Sequence, residues 1–207
     1  MRIHILECLF HVNEIYLSHV ISLVEGKKGP GMMQDGALLN KIKNIKKSEL
    51  QEISNPFPKV SVTGLAAIHL KSKIEWFFEQ KGKISSETEN FRSDQLCLLV
   101  LACSTFMTIP NNLTNLLSYK KEAISHSRWI TTANGYLRLL LFKSEQLSKE
   151  DKKKLTRIVS YLVSVYVPSL IITHLKPEAY DGPFLTLFQR DLLLAFNKID
   201  EEMVTLV

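Results

Sequence analysis

Leu96-Cys97-Leu98-Leu99-Val100-Leu101-Ala102-Cys103-Ser104-Thr105-Phe106-Met107 is apolar nearly all the way round when wound into a helix. A helix with no water-tolerant stripe belongs at the centre of a larger helical body. Ser93 stands where that helix begins, and the polar residues 83–90 ahead of it read as a joint. Only eight Gly and seven Pro punctuate the 207 residues, which favours long helices over a many-turned β architecture.

Downstream, Pro110 suits a helix first turn. A further helix holds His126 to Phe142, and Ser148 caps another that carries Leu155, Ile158, Val159, Leu162 and Tyr166. Pro168 is expected to close it. Asp181 and Pro183 open a last long helix to about Asn197. Upstream, a helix with Leu65, Ile68, Ile74, Phe77 and Phe78 runs to about Gln80, where Gly82 ends it. Lys59 to Thr63 reads as a short strand or an extended linker after Asn55-Pro56-Phe57-Pro58, which cuts short any helix begun by Ser48 and Gln51. Asp35 caps a short helix through Lys47, and GKKGPGMMQDG before it is a loop. Asn13 is a plausible N-cap for a helix with Ile15, Val20, Leu23 and Val24 on its apolar side, stopped by Gly26. Arg2 to Glu7 alternates and is the one persuasive strand signal.

The expected fold is therefore mainly α: about eight helices, one short N-terminal strand and an optional second strand at 59–63. Residues 1–82 form a lysine-rich part and 91–207 a helical domain, joined by 83–90 or merged into one domain. The lone strand would need a sheet partner for its backbone groups, which suggests a fragment of something larger.

The longest apolar run is taken to be Leu96 to Cys103, well short of the roughly 18–20 residues that cross a bilayer, so no membrane partner is expected. The first ten residues lack the basic flank and cleavage site of a signal peptide. Three cysteines give no disulfide framework, which points to a reducing, intracellular compartment, nuclear or cytoplasmic. The net charge of +5 is concentrated: residues 26–83 hold eleven Lys against five acids, so this part can meet phosphate while the remainder is about one unit negative.

Cys8 and His11 form a C-x-x-H. Both are zinc-ligand types, but a structural site needs four ligands and no second pair stands near, so no metal or other cofactor is expected. Cys8 as a nucleophile lacks an orienting acid and an oxyanion hole. In Ser125-His126-Ser127-Arg128-Trp129-Ile130-Thr131-Thr132-Ala133-Asn134, Arg128 offers a guanidinium for phosphate and Trp129 an indole face for a base. The competing reading makes Trp129 a core anchor with Ala133 and Leu137.

Three segments, CLFHVNEIYLSHV, SHSRWITTANGYLRLLLF and VSYLVSVYVPSLIITHLKPEAYDGP, together resemble a group of transposon-derived proteins of animal genomes. More distantly, the C-x-x-H followed by Arg-Trp resembles the hAT superfamily of cut-and-paste transposases. That resemblance implies an RNase H-like catalytic domain, of which this chain would supply the last strand and the helical insertion. Cys8, His11, Asn13 and Ser127 match the family motifs, and Arg128 with Trp129 matches the Arg-Trp that stacks on a flipped base. Two-metal cleavage needs three carboxylates, whereas only Glu7 precedes Cys8 and the chain ends at Asp200, Glu201, Glu202 and a few further residues. The implied protein is truncated at both ends, has no catalytic residues, and touches DNA weakly through Lys27, Lys28, Arg128 and Trp129. The alternative is a helical interaction or self-association module that uses an apolar surface left uncovered.

Overall fold

The computed structural model describes residues 2–26, 37–43, 59–80, 93–108, 128–175 and 182–201. Among them every regular element is helical: α1 (Arg2–Glu25), α2 (Ala37–Lys43), α3 (Gly64–Gln80), α4 (Ser93–Ser104), α5 (Arg128–Lys143), α6 (Lys149–Tyr161), α7 (Val167–Leu175) and α8 (Gly182–Asn197). A 3-10 turn, Ser144–Gln146, links α5 to α6, and a π-helical turn, Leu162–Tyr166, joins α6 to α7 without a break. The mainly α expectation holds. The Asp35 cap, the Ser48 and Gln51 pair, a helix at Pro110 and the joint at 83–90 lie outside the described residues.

The N-terminal strand is corrected. Arg2 to Glu7 is the first part of α1, which runs 24 residues before Gly26 stops it. Two alternations are too short a pattern to set a period, and the apolar positions continue at helical spacing as Leu17, Val20, Ile21 and Val24, all buried. A helix satisfies its own backbone groups, so the missing sheet partner is not needed. Asn13 consequently sits inside α1 and is no N-cap. Gly26 does end the helix: its φ of +73° is the left-handed conformation natural to a residue just past a C-terminus.

Lys59 to Thr63 is extended but forms no strand. Its Val60 N–H donates a single bond to the Thr105 carbonyl (3.1 Å), with no ladder. Thr63 closes the segment as the N-cap of α3, where its Oγ1 accepts from the Ala66 N–H. The buried stripe of α3 is Ala66, Leu70 and Ile74, while Leu65 (40% exposed) and Ile68 (72% exposed) face outward. Residue type alone suggested those two as core, but the i, i+4, i+8 register selects the smaller alanine instead.

The core is organised round the continuous rod of α6, the π turn and α7. Residues 158–172 are buried without exception, and α1, α3, α4, α5 and α8 all pack on this rod. Lys149–Ile172 contains a window long and apolar enough to cross a membrane by composition, a longer run than Leu96 to Cys103; 89% of it is buried inside the protein. α4 is the second central element, buried from Cys97 through Ser104 as its sequence demanded. Core residues come from both sides of 83–90.

Pro168 does not end the helix. Proline removes one N–H and crowds the carbonyl four residues earlier, which kinks or breaks a regular helix. Here the turn before it widens, with the Val167 N–H reaching back five residues to the Leu162 carbonyl. Side chains reach the neighbouring carbonyls: Ser169 Oγ donates to the Val165 carbonyl (2.8 Å) and Asn13 Nδ2 to that of Tyr166 (3.5 Å). Ser164, inside the turn, accepts the Thr63 N–H on its Oγ. At the other end of the rod Ser148 is the N-cap, its Oγ accepting from the Asp151 N–H at 3.1 Å.

Candidate functional site

α5 begins with the Arg-Trp pair. Ile130, Ala133, Tyr136, Leu137 and Leu140 are its buried positions, and it packs on α2, α4 and α6. Arg128 and Trp129 form the start of this helix, and their side chains, with all of Ser127, lie outside the described residues. Lys27 and Lys28 also lie outside them, as do the side chains of Cys8 and His11, which are three residues apart on the helical backbone of α1.

The elements flanking Lys27 and Lys28 are described, and both meet α5. At the end of α1, Glu25 Oε1 accepts a hydrogen bond from the Tyr136 hydroxyl at 2.6 Å. Tyr136 is eight residues into α5 from Arg128, about 12 Å along the axis. Burial, and then the Glu25 carboxylate, push the Tyr136 hydroxyl far above its ordinary pKa, so it remains a donor. α2, on the far side of the 27–36 segment, packs on α5 as well and is tied down by the Lys41 to Asp151 ion pair. The described elements on either side of the lysine pair thus both meet the helix that the Arg-Trp pair begins.

Asn13 has a structural role visible in full. It is buried, donates to the Tyr166 carbonyl, and accepts from Gln189 Nε2 at 3.3 Å. One amide therefore joins α1, the end of the π turn and α8. The sequence showed its polarity but not its partners, which lie more than 150 residues away.

A polar cluster between α4 and α5 was missed by sequence reasoning. Asn134 Nδ2 donates to the Asp94 carbonyl (3.4 Å), and Asp94 Oδ1 accepts from the Gln95 N–H. One turn on, Arg138 Nη2 donates to the Cys97 sulfur (3.5 Å). Desolvation raises the Cys97 pKa, and the Arg138 charge opposes this only in part. The thiol stays protonated and buried, a packing group rather than a nucleophile. Cys103 is likewise buried and raised, its thiol directed at the Leu70 carbonyl. The i, i+4 spacing of Asn134 and Arg138 was a readable sign of a shared polar edge.

Among the described residues no group of three His, Cys, Asp or Glu side chains stands close enough to hold a metal ion. No family model, curated protein or solved structure matches the chain.

Proposed function

We propose that this chain is a transposase-derived helical module that contacts DNA without cutting it, through Lys27, Lys28, Arg128 and Trp129. The reading is supported by the resemblance of the SHSRWITTAN and CLFHVNE segments to transposon-derived proteins. The observation that carries it is the Glu25 to Tyr136 bond, which fastens the end of α1, immediately before Lys27 and Lys28, to the helix that Arg128 and Trp129 begin. Lysine and arginine cations neutralise backbone phosphate, and an indole suits an unstacked base. The mispaired part of the resemblance is the strand: C-x-x-H sits within α1, not at a strand-to-helix junction.

The test is a salt titration of binding to single- and double-stranded DNA. Each phosphate neutralised contributes a slope of about −0.9 in log K against log salt on duplex. The double change Lys27→Glu with Lys28→Glu is expected to flatten that slope by about 2, and Trp129→Ala to weaken single strands by roughly tenfold or more. Affinity indifferent to all three changes would remove the DNA reading. A magnesium- or manganese-dependent nicking activity would remove the non-cutting half of it.

A further inference from the structure

The outward face of α8 carries a pattern that the core does not require. Leu192 and Phe196 are its fully buried anchors, with Phe188 against His69 of α3 and Phe196 edge-on to Tyr161 of α6. The bidentate Arg157 to Asp200 pair (2.6 and 2.9 Å) fixes the residues just beyond its end. On the opposite side stand Leu187 (49% exposed), Arg190, Asp191 and Leu194 (57% exposed). They are spaced i, i+3, i+4, i+7, a single helical face.

We propose that this face pairs with its own copy in a second chain, antiparallel about a two-fold axis centred between Arg190 and Asp191. In that register each position meets the one equally far on the other side of the axis. Leu187 of one chain then lies against Leu194 of the other, and Arg190 against Asp191, with every contact made twice. Apolar meets apolar and cation meets anion without a mismatch, which is the self-complementarity a two-fold interface requires. Within one chain Arg190 and Asp191 form a long ion pair of 3.8 Å with both side chains more than half exposed, a weak contact that can be exchanged for a closer one across the axis. Two 16-residue helices, each about 24 Å long, cover well under the roughly 800 Å² per partner of a standard interface. The dimer is therefore weak and exchanges rapidly.

The test is sedimentation of the whole chain from about 5 μM to about 500 μM, a range suited to such a small interface. The average mass is expected to rise with concentration. Arg190→Glu sets two anions opposite one another twice over, and Asp191→Arg does the same with cations. Each alone should shift the association midpoint at least about tenfold upward. An equimolar mixture of the two variants should return to the parent's midpoint, because each new carboxylate then faces a new guanidinium. Leu194→Asp should abolish association while the helical circular dichroism stays unchanged. A parent that stays monomeric throughout overturns the proposal. So does association that ignores the charge reversals, or that fails to recover on mixing.

Discussion

Raising the pH should unfold this protein in a cooperative step, because its largely aliphatic core also buries phenols and a thiol whose ionisation that burial opposes. Tyr136, Tyr161 and Tyr166 are buried, and burial is the first cause of the upward pKa shift in each. Cys103 is raised for the same reason. An acid whose folded pKa lies above its unfolded one keeps its proton in the native chain after the unfolded chain has lost it. Stability is then undiminished below the unfolded pKa and falls as pH rises past it. The ordinary values are 9.0 for the thiol and 10.0 for the phenols. Each such group costs about 1.4 kcal/mol per pH unit beyond that point. The four together reach about 7 kcal/mol by pH 11, comparable with the whole stability of a typical domain; Cys97 adds in the same direction. The assay follows far-ultraviolet circular dichroism and tyrosinate absorbance in parallel, with urea midpoints at pH 8 and 10.5. Three of the six tyrosines should ionise only as helix is lost. Tyr161→Phe should reduce the steepness and stabilise at neutral pH by about 1 kcal/mol, since the Tyr161 hydroxyl is buried with no hydrogen-bond partner. Smooth ionisation of all six near pH 10, with helix retained to pH 12, would refute the reasoning.

Phe196→Ala should cost about 3–5 kcal/mol in urea unfolding, since it empties a fully buried site and removes the edge contact with Tyr161; a loss under about 1 kcal/mol would mean that α8 is not part of the cooperative core. Ser148→Ala removes the side-chain acceptor for the Asp151 N–H and is expected to lower stability by about 1 kcal/mol, with Ser148→Asp restoring it as the check. Gly26→Ala meets nothing within 4 Å, so its cost comes from the left-handed backbone alone, about 1 kcal/mol; Gly26→Asn should cost less, and equal losses would point to a steric cause instead.

Much of the fold was legible because some residues act locally. Gly26 and Ser148 end and begin helices by backbone geometry and one side-chain bond, with no need of the tertiary structure. The run at Leu96 to Met107 could only be a core helix, and Cys97 to Ser104 is buried throughout. The misreadings have an equally physical origin. Proline removes a donor, which predicts a stop at Pro168, yet the rod continues because the preceding turn widens and because Asn13 and Ser169 reach the neighbouring carbonyls. Nothing in residues 155–175 themselves announces a partner donated by residue 13. The site divides the same way: Arg128 and Trp129 were legible as a motif, whereas the bond that ties the end of α1 to their helix joins residues 111 apart. The Asn134 and Arg138 edge carried a local sign in its i, i+4 spacing, but its partners on α4 did not, since those bonds span some 40 positions.

That difference bears on how α8 is read. Its inner face is explained by what it touches: Phe188 on His69, Gln189 on Asn13, Phe196 on Tyr161. These three contacts fix the rotation of the helix about its own axis, and once it is fixed Leu187 and Leu194 have no inward option. A surface-only role would be served as well by glutamate or lysine, which form helix about as readily as leucine. Two leucines held outward by three inward contacts, with one charge of each sign between them, make a face that its own copy matches. The charge-reversal experiment therefore tests the fold too: if α8 were turned by one residue, Arg190 and Asp191 would no longer share the outer face, and mixing the variants would recover nothing.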